Sequence, residues 1–268
     1  MKLPGVIVLY NPNILKVLDN IKSYIDILEV LYVFDNSECS FDYQKKLEAF
    51  SSKIKYYSYN ENKGIAFALN YTSQIAYDYG FEWILTMDQD SSFPIPNGFS
   101  DYINLVSTYI DNNIALFSPY FFGETIEQPQ FYTSGAIMNL EAWYKIKFDE
   151  NLFIDEVDGD FTYRVREANY SLIKIEKIKL VHELGSQYCR KVLWKKLCSD
   201  NHSALRKYYI ARNRIYLMKK RPNMRLLYFT DSLRKFVLFI LIERNKLQKF
   251  QMILKGIYHG LTNRMGRY

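Results

Sequence analysis

Cysteine is scarce in this sequence. Cys39, Cys189 and Cys198 form no CxxC pair and are too few for a disulfide framework, so free thiols in a reducing compartment are expected. No GxGxxG and no P-loop glycine-lysine motif occurs. Neither the dinucleotide mode nor the P-loop mode of phosphate binding is therefore supported, which leaves a metal as the expected way of handling phosphate. Internal repeats, low-complexity stretches and Pro/Gly/Ser-rich linkers are also missing, so only charge marks a domain boundary. Phe236–Ile242 is an apolar run of seven residues, far below the roughly 20 needed to cross a bilayer. The start, Met1-Lys2-Leu3-Pro4-Gly5, leads into a short apolar run ending at Tyr10 without a small-residue cleavage site, so no signal peptide is expected.

Aromatic residues are plentiful, at 17% of 268 residues, more than a disordered or coiled-coil chain would carry. A folded core must bury them. Charge is divided sharply along the chain: residues 1–189 sum to −11 and residues 190–268 to +17. That asymmetry predicts two parts, 1–189 and 190–268, the second facing an anionic partner surface.

In the first part, short β-branched runs alternate with segments of helical spacing, the pattern of βαβ units around a mainly parallel sheet. The expected strands are Val6–Tyr10, Val30–Phe34, Ile54–Tyr57, Trp83–Met87 and Ile114–Phe117, and the expected helices Ile14–Leu28, Phe41–Phe50, Gly64–Tyr79 and Gly98–Ile110. In open sheets ligands bind beyond the carboxyl ends of the strands. Those ends read Asn11-Pro12-Asn13, Asp35-Asn36-Ser37, Asn60-Glu61-Asn62-Lys63-Gly64 and Asp88-Gln89-Asp90, so Asn, Asp and Gly should converge there.

Two acidic constellations carry chemistry. Asp88 and Asp90, one residue apart after a hydrophobic strand, offer the hard oxygens that Mg²⁺ or Mn²⁺ prefers, while leaving positions for phosphate. The second, Asp155-Glu156-Val157-Asp158-Gly159-Asp160, precedes a helical segment running to Asn169. Its carboxylates serve either as helix N-terminal caps or, for one of them, as the general base for an acceptor hydroxyl.

The order of pieces, Val8-Leu9-Tyr10-Asn11-Pro12, Asp35-Asn36-Ser37, Asn62-Lys63-Gly64, Asp88-Gln89-Asp90, Ser134-Gly135 and the acidic segment ending in Arg164, resembles inverting glycosyltransferases of family 2. These are built on the GT-A nucleotide-sugar-binding fold, an α/β class with a mainly parallel central sheet flanked by helices. Phe153-Ile154-Asp155 together with Arg206-Lys207-Tyr208-Tyr209 and Arg212-Asn213 looks most like bacterial rhamnosyltransferases. The resemblance implies a donor site of Tyr10, Asn11, Asp35, Asn62, Lys63, Gly64, Asp88 and Gln89, with Tyr10 and Asp35 at the base. Asp90 would be the direct ligand of Mg²⁺ or Mn²⁺, and His182 a second metal ligand, though a packing histidine fits its sequence context equally. Asp158, six residues before Arg164, would be the catalytic base. Val157 stands where Glu is usual, so Asp155 or Glu156 could share that role. Ser134, Gly135, Asp155, Glu156 and Asp160 would line the sugar or acceptor pocket, with Gly135 letting backbone approach a ligand.

In the basic part, Arg206–Lys220 mixes cations with Tyr and Ile as an amphipathic interfacial helix would. A peripheral position on the cytoplasmic face of the membrane, with a polyprenyl-diphosphate-linked saccharide as acceptor, follows from it. Packing on the catalytic part or homodimer formation is the other use of such helices. Nucleic-acid binding is not expected, because no binding module is recognisable. The expected donor is dTDP-rhamnose, with a UDP-hexose or UDP-galactofuranose as the rival, and a non-catalytic nucleotide-sugar-binding subunit as the alternative outside enzymes.

Overall fold

In the computed structural model of the protein, residues 1–39, 43–94, 96–111, 113–121, 131–182, 188–192 and 194–268 are described. The chain forms two compact units. The first comprises Met1–Glu150 and Val157–Glu183, the second Asn151–Glu156 and Leu184–Tyr268.

The first unit is a mixed α/β layer structure of the GT-A type. Among the described residues its strands are β1 (Gly5–Leu9), β2 (Leu31–Asp35), β3 (Ile54–Ser58), β4 (Trp83–Asp88), β5 (Ser91–Ser92), β6 (Ile114–Phe121), β7 (Ala136–Asn139) and β8 (Ser171–His182). They join in the order β3-β2-β1-β4-β7-β6-β8-β5. Pairings among β3, β2, β1 and β4 are parallel, as is β6 with β8, whereas β7 runs antiparallel to both β4 and β6. β1 and β2 are buried along their whole length, because helices cover a parallel sheet and each strand must be apolar on both faces. The core runs through Ile7, Val33, Leu85, Phe117 and Ile137.

The helices alternate with these strands: α1 (Ile14–Ile21), α2 (Tyr43–Phe50), α3 (Ile65–Asp78), α4 (Gly98–Tyr109), α5 (Leu140–Ile146) and α6 (Val157–Glu167). Asn13 starts α1 by accepting the Lys16 N–H on its side chain. The helix expected over 14–28 ends at Ile21. Beyond it the N–H groups of Ser23, Tyr24, Ile27 and Leu28 turn to carbonyls three residues back, tight turns that still bury Tyr24, Ile25 and Leu28. The expected start of α2 at Phe41 lies outside the described residues.

The second unit holds the hairpin β9 (Tyr188–Val192) and β10 (Lys195–Ser199) and the helices α7 (Ala204–Lys220), α8 (Arg225–Ile242) and α9 (Lys246–Leu261). Cys189 and Cys198 face each other across the hairpin and are joined as a disulfide. This corrects the free-thiol expectation for that pair: nine residues of separation hid a cross-strand register. Cys39 remains free and exposed. With one pair joined, cysteine usage no longer argues for a reducing compartment.

Helix α7 also departs from expectation. Instead of presenting a basic-aromatic face to solvent, it buries Tyr208, Tyr209, Arg212, Asn213, Arg214 and Leu217. Gly256 and Gly260 of α9 lie directly against its backbone. A Cβ at Gly260 would sit 2.6 Å from the Arg212 carbonyl oxygen, and one at Gly256 would collide with the Tyr208 carbonyl. Glu243 is buried with Lys207 at 2.7 Å, Lys249 at 2.8 Å and the Ser199 hydroxyl donating at 2.5 Å. Those partners hold its carboxyl below the usual range, against the burial that opposes them. Among the described residues no helix is long and apolar enough to cross a membrane.

Candidate active site

The carboxyl ends of the parallel strands in the first unit are stitched together by side chains. After β1, the Tyr10 N–H donates to Gln89 Oε1 at 2.8 Å, and the Gln89 amide returns to the Tyr10 carbonyl at 3.3 Å. The Asn11 N–H donates to Ser37 Oγ at 2.8 Å, with Asn11 held at φ 45°. After β2, Asp35 is fully buried. Its Oδ1 accepts the Ser37 N–H at 2.8 Å and its Oδ2 the Tyr56 hydroxyl at 2.6 Å. Burial, and then that bond, push the Tyr56 phenol above its ordinary range. Asn36 bridges to the next strand end, accepting the Lys63 N–H at 3.0 Å and donating to the Gly64 carbonyl at 3.2 Å. Asn62 accepts the Gly64 N–H at 2.9 Å, at the positive φ of 87° that lets Gly64 open α3. Lys63 pairs with Glu61 at 2.6 Å.

Asp88 closes β4, and the two-residue strand β5 brings in the next partner. Because Ser91 pairs with His182 at the end of β8, a histidine 92 positions after Asp90 arrives beside it. His182 Nδ1 lies 3.3 Å from Asp90 Oδ1 and 2.8 Å from Ser91 Oγ. The Ser134 hydroxyl donates to Ser91 Oγ at 2.8 Å and accepts the Asp88 N–H at 3.1 Å. Ligand atoms of Asp88, Asp90 and His182 lie within 4.8 Å of one another. Two carboxylates and an imidazole in that spacing suit a divalent cation that accepts oxygen and nitrogen donors. Glu183, Leu184 and Gly185, next to His182 in sequence, lie outside the described residues.

Asp158 stands in the first turn of α6 and accepts the Thr133 hydroxyl at 2.9 Å. Burial first, then the neighbouring charges of Asp158 and Asp90, push the Asp88 carboxyl up to about 7, against the smaller lowering effect of His182. A carboxyl raised by burial and by neighbouring acids makes this cluster a candidate functional site. Gly135 is needed here for its backbone, at φ +74°, and because a Cβ would approach Pro119 and Leu180 at 2.9 and 3.0 Å. The packing around Gly135 leaves no room for a side chain.

The remaining acids are engaged elsewhere. Asp160 is buried in an ion pair with Arg164 at 2.7 Å, one helical turn on. Asp155 and Glu156 belong to the second unit, where Asp155 pairs with Arg206 at 3.0 Å and Glu156 with Arg214 at 2.7 Å. Their backbone is clasped as well. Phe153, Asp155 and Glu156 all have positive φ, and Asn213 donates to the carbonyls of Leu152, Ile154 and Asp155 at 2.7 to 2.9 Å. Arg212 donates to those of Asn151 and Leu152, and Phe153 stacks on Tyr209 at 5.2 Å. The segment Phe153–Glu156 and the motif around Arg212-Asn213 are therefore two halves of one structural clasp. Tyr56 and Ser91 join this network through single hydroxyls, which leave no spacing signal in the sequence.

The profile of glycosyl transferase family 2 matches residues 6–164, which include the carboxyl ends of β1 to β4 and Asp158 but not His182. Over 98% of its length the chain is 27% identical to the dTDP-rhamnosyl transferase RfbF of Shigella flexneri, covering 96% of that protein. Residues 1–349 of TarS from S. aureus share the fold at a TM-score of 0.53 and 14% identity, covering 98% of this chain and 72% of that one. So does glucosyl-3-phosphoglycerate synthase from Mycobacterium tuberculosis, solved with Mn²⁺, UDP-glucose and phosphoglyceric acid, at 0.50 and 14%, covering 74% of this chain and 86% of that one. The chain belongs to glycosyl transferase family 2, with the GT-A fold.

Proposed function

We propose that the protein is an inverting rhamnosyltransferase, moving L-rhamnose from dTDP-rhamnose to a lipid-linked saccharide during bacterial surface-polysaccharide synthesis, as in O-antigen or capsule. The observation that carries the donor assignment is the end-to-end similarity to a dTDP-rhamnosyl transferase. The acidic cluster of Asp88, Asp90, His182 and Asp158 supports the chemistry.

In this reading the exposed Tyr10 ring lies against the base, with Asp35, Asn62, Lys63 and Gly64 fixing the loops around it. Asp88 takes the ribose or supports the cation. Asp90 and His182 would hold Mg²⁺ or Mn²⁺, an ion that would supply positive charge against the nucleoside diphosphate when bound. Asp158 accepts the proton of the acceptor hydroxyl as that oxygen attacks the anomeric carbon from the face opposite the leaving group, so one displacement inverts the configuration. Thr133, by donating to Asp158 Oδ1, keeps that carboxylate oriented.

The acceptor end of the proposal rests on charge. A +17 C-terminal part would be drawn to the anionic cytoplasmic leaflet, where a polyprenyl-diphosphate-linked acceptor resides. The test is release of nucleoside diphosphate from dTDP-rhamnose, UDP-glucose, UDP-galactose and UDP-galactofuranose, each with a lipid-linked acceptor fraction. Acceptor-dependent release from dTDP-rhamnose alone supports the assignment. Release from a UDP-sugar instead would replace the donor, and acceptor-independent release from all of them would remove the transfer reading.

A further inference from the structure

Two helices of the second unit turn apolar stripes to solvent. On α8 the exposed residues Leu226, Phe229, Leu233, Val237 and Ile240 recur every three or four positions. On α9 Leu247, Phe250, Leu254, Tyr258 and Leu261 do the same. Of the 18 residues of α8 only Tyr228, Phe239 and Ile242 are buried. A helix this apolar normally has its apolar side covered. Between the helices lies a groove of about 560 Å³ lined by Phe229, Leu233, Phe236, Phe250, Leu254 and Ile257. Both stripes therefore border one cleft.

Charge selects the occupant. Residues 190–268 contain three acids among 20 Lys and Arg, and each acid is engaged within the unit. Asp200 lies 3.7 Å from His202, Asp231 pairs with Arg214 and Lys235, and Glu243 pairs with Lys207 and Lys249. Arg234 and Lys235 line the groove, and Arg225, Arg244, Lys246 and Lys255 are exposed along the same helices. A second copy packed by this same face would set cation against cation. An anionic phospholipid bilayer offers phosphate to the cations and hydrocarbon to the stripes, the combination that holds interfacial helices.

We propose that the α8–α9 face is the membrane-docking surface of the protein, with an acyl chain of an anionic phospholipid entering the groove between the two stripes. This deepens the reading of a membrane-borne acceptor and rests on it. Its test measures lipid binding alone, so its failure leaves the donor assignment intact, while failure of the donor assignment leaves lipid binding measurable.

The full-length protein is sedimented with vesicles of phosphatidylcholine, and with vesicles containing about one third phosphatidylglycerol. Binding to the anionic vesicles only, weakened by salt, is expected. The exposed-site double variant Leu233→Glu/Leu254→Glu should bind roughly tenfold or more weakly while keeping the wild-type unfolding midpoint. As a readout that does not depend on a disruptive variant, Phe229→Trp should gain fluorescence that phosphatidylglycerol brominated in its acyl chains quenches. The proposal is overturned if wild type ignores anionic vesicles, if the double variant binds them as wild type does, or if the introduced Trp is not quenched. It is equally overturned if wild type forms a dimer that Leu233→Glu/Leu254→Glu disperses, since the face would then be a self-interface.

Discussion

The two units carry opposite charge and treat their carboxylates in opposite ways. In the catalytic unit Asp88, Asp90 and Asp158 are set close enough that burial and mutual repulsion push Asp88 up to about 7. In the helical unit Asp155 pairs with Arg206, Glu156 and Asp231 with Arg214, and Glu243 with Lys207 and Lys249, while Asp200 lies beside the His202 imidazole. The first arrangement retains electrostatic strain that a cation and a substrate can relieve. The second is satisfied and holds structure, because removing one partner of a buried pair is strongly destabilising. The lesson is that one run of acids in the sequence, residues 155–160, is divided between the two regimes. Asp155 and Glu156 pair with Arg206 and Arg214, Asp160 with Arg164, and Asp158 lies near Asp88 in the acidic cluster.

The largest expected effect is that of Asp158→Asn, which should lower the transfer rate by about 10² to 10⁴ while leaving donor binding and vesicle binding as in wild type. An equal loss of donor binding would move Asp158 from base to binding residue. Next comes Gly260→Leu, which drives a side chain into the α7 backbone and should destabilise the helical unit by about 2 to 3 kcal/mol. Chemical denaturation should register that loss, with metal-dependent donor binding retained. If donor binding fell in parallel, the two units would not be the separable regions described here.

The smallest effect concerns His202. Burial first, and the nearby Arg206 second, lower its imidazole to about 4, from an ordinary 6.5. A histidine with a depressed folded pKa contributes stability above its unfolded value and loses it as pH falls. Wild type should therefore lose about 1 kcal/mol, after allowance for partial exposure, between pH 6.5 and 4. His202→Gln should flatten that part of the urea midpoint profile, and an unchanged profile would show that His202 is not the titrating group.

Much of the catalytic unit was legible in the sequence. β1 to β4 announce themselves because strands covered on both faces must be continuously apolar, and the Asn, Asp and Gly clusters stand where those strands stop. What the sequence could not supply were pairings between distant segments. His182 reaches Asp90 only because the two-residue strand β5 pairs with the end of β8, a contact without local periodicity. Helix α7 reads as an interfacial helix, since cations and aromatics alternate along it. The carbonyls of residues 151–155, which accept from Arg212 and Asn213, are invisible to composition. The apolar stripes of α8 and α9 were present at helical spacing, but the same spacing describes a buried face equally well. Cys189 and Cys198 likewise look unrelated until a hairpin sets them opposite each other.

The central claim is that the acidic cluster of the first unit binds a metal–nucleotide-sugar complex. Calorimetric titration of dTDP-rhamnose, with and without Mg²⁺ or Mn²⁺, into wild type and Asp90→Ala tests it most directly. The account predicts metal-dependent binding to wild type that is lost in Asp90→Ala without a change in fold by circular dichroism. Equal binding to both proteins, or binding indifferent to the metal, would contradict it.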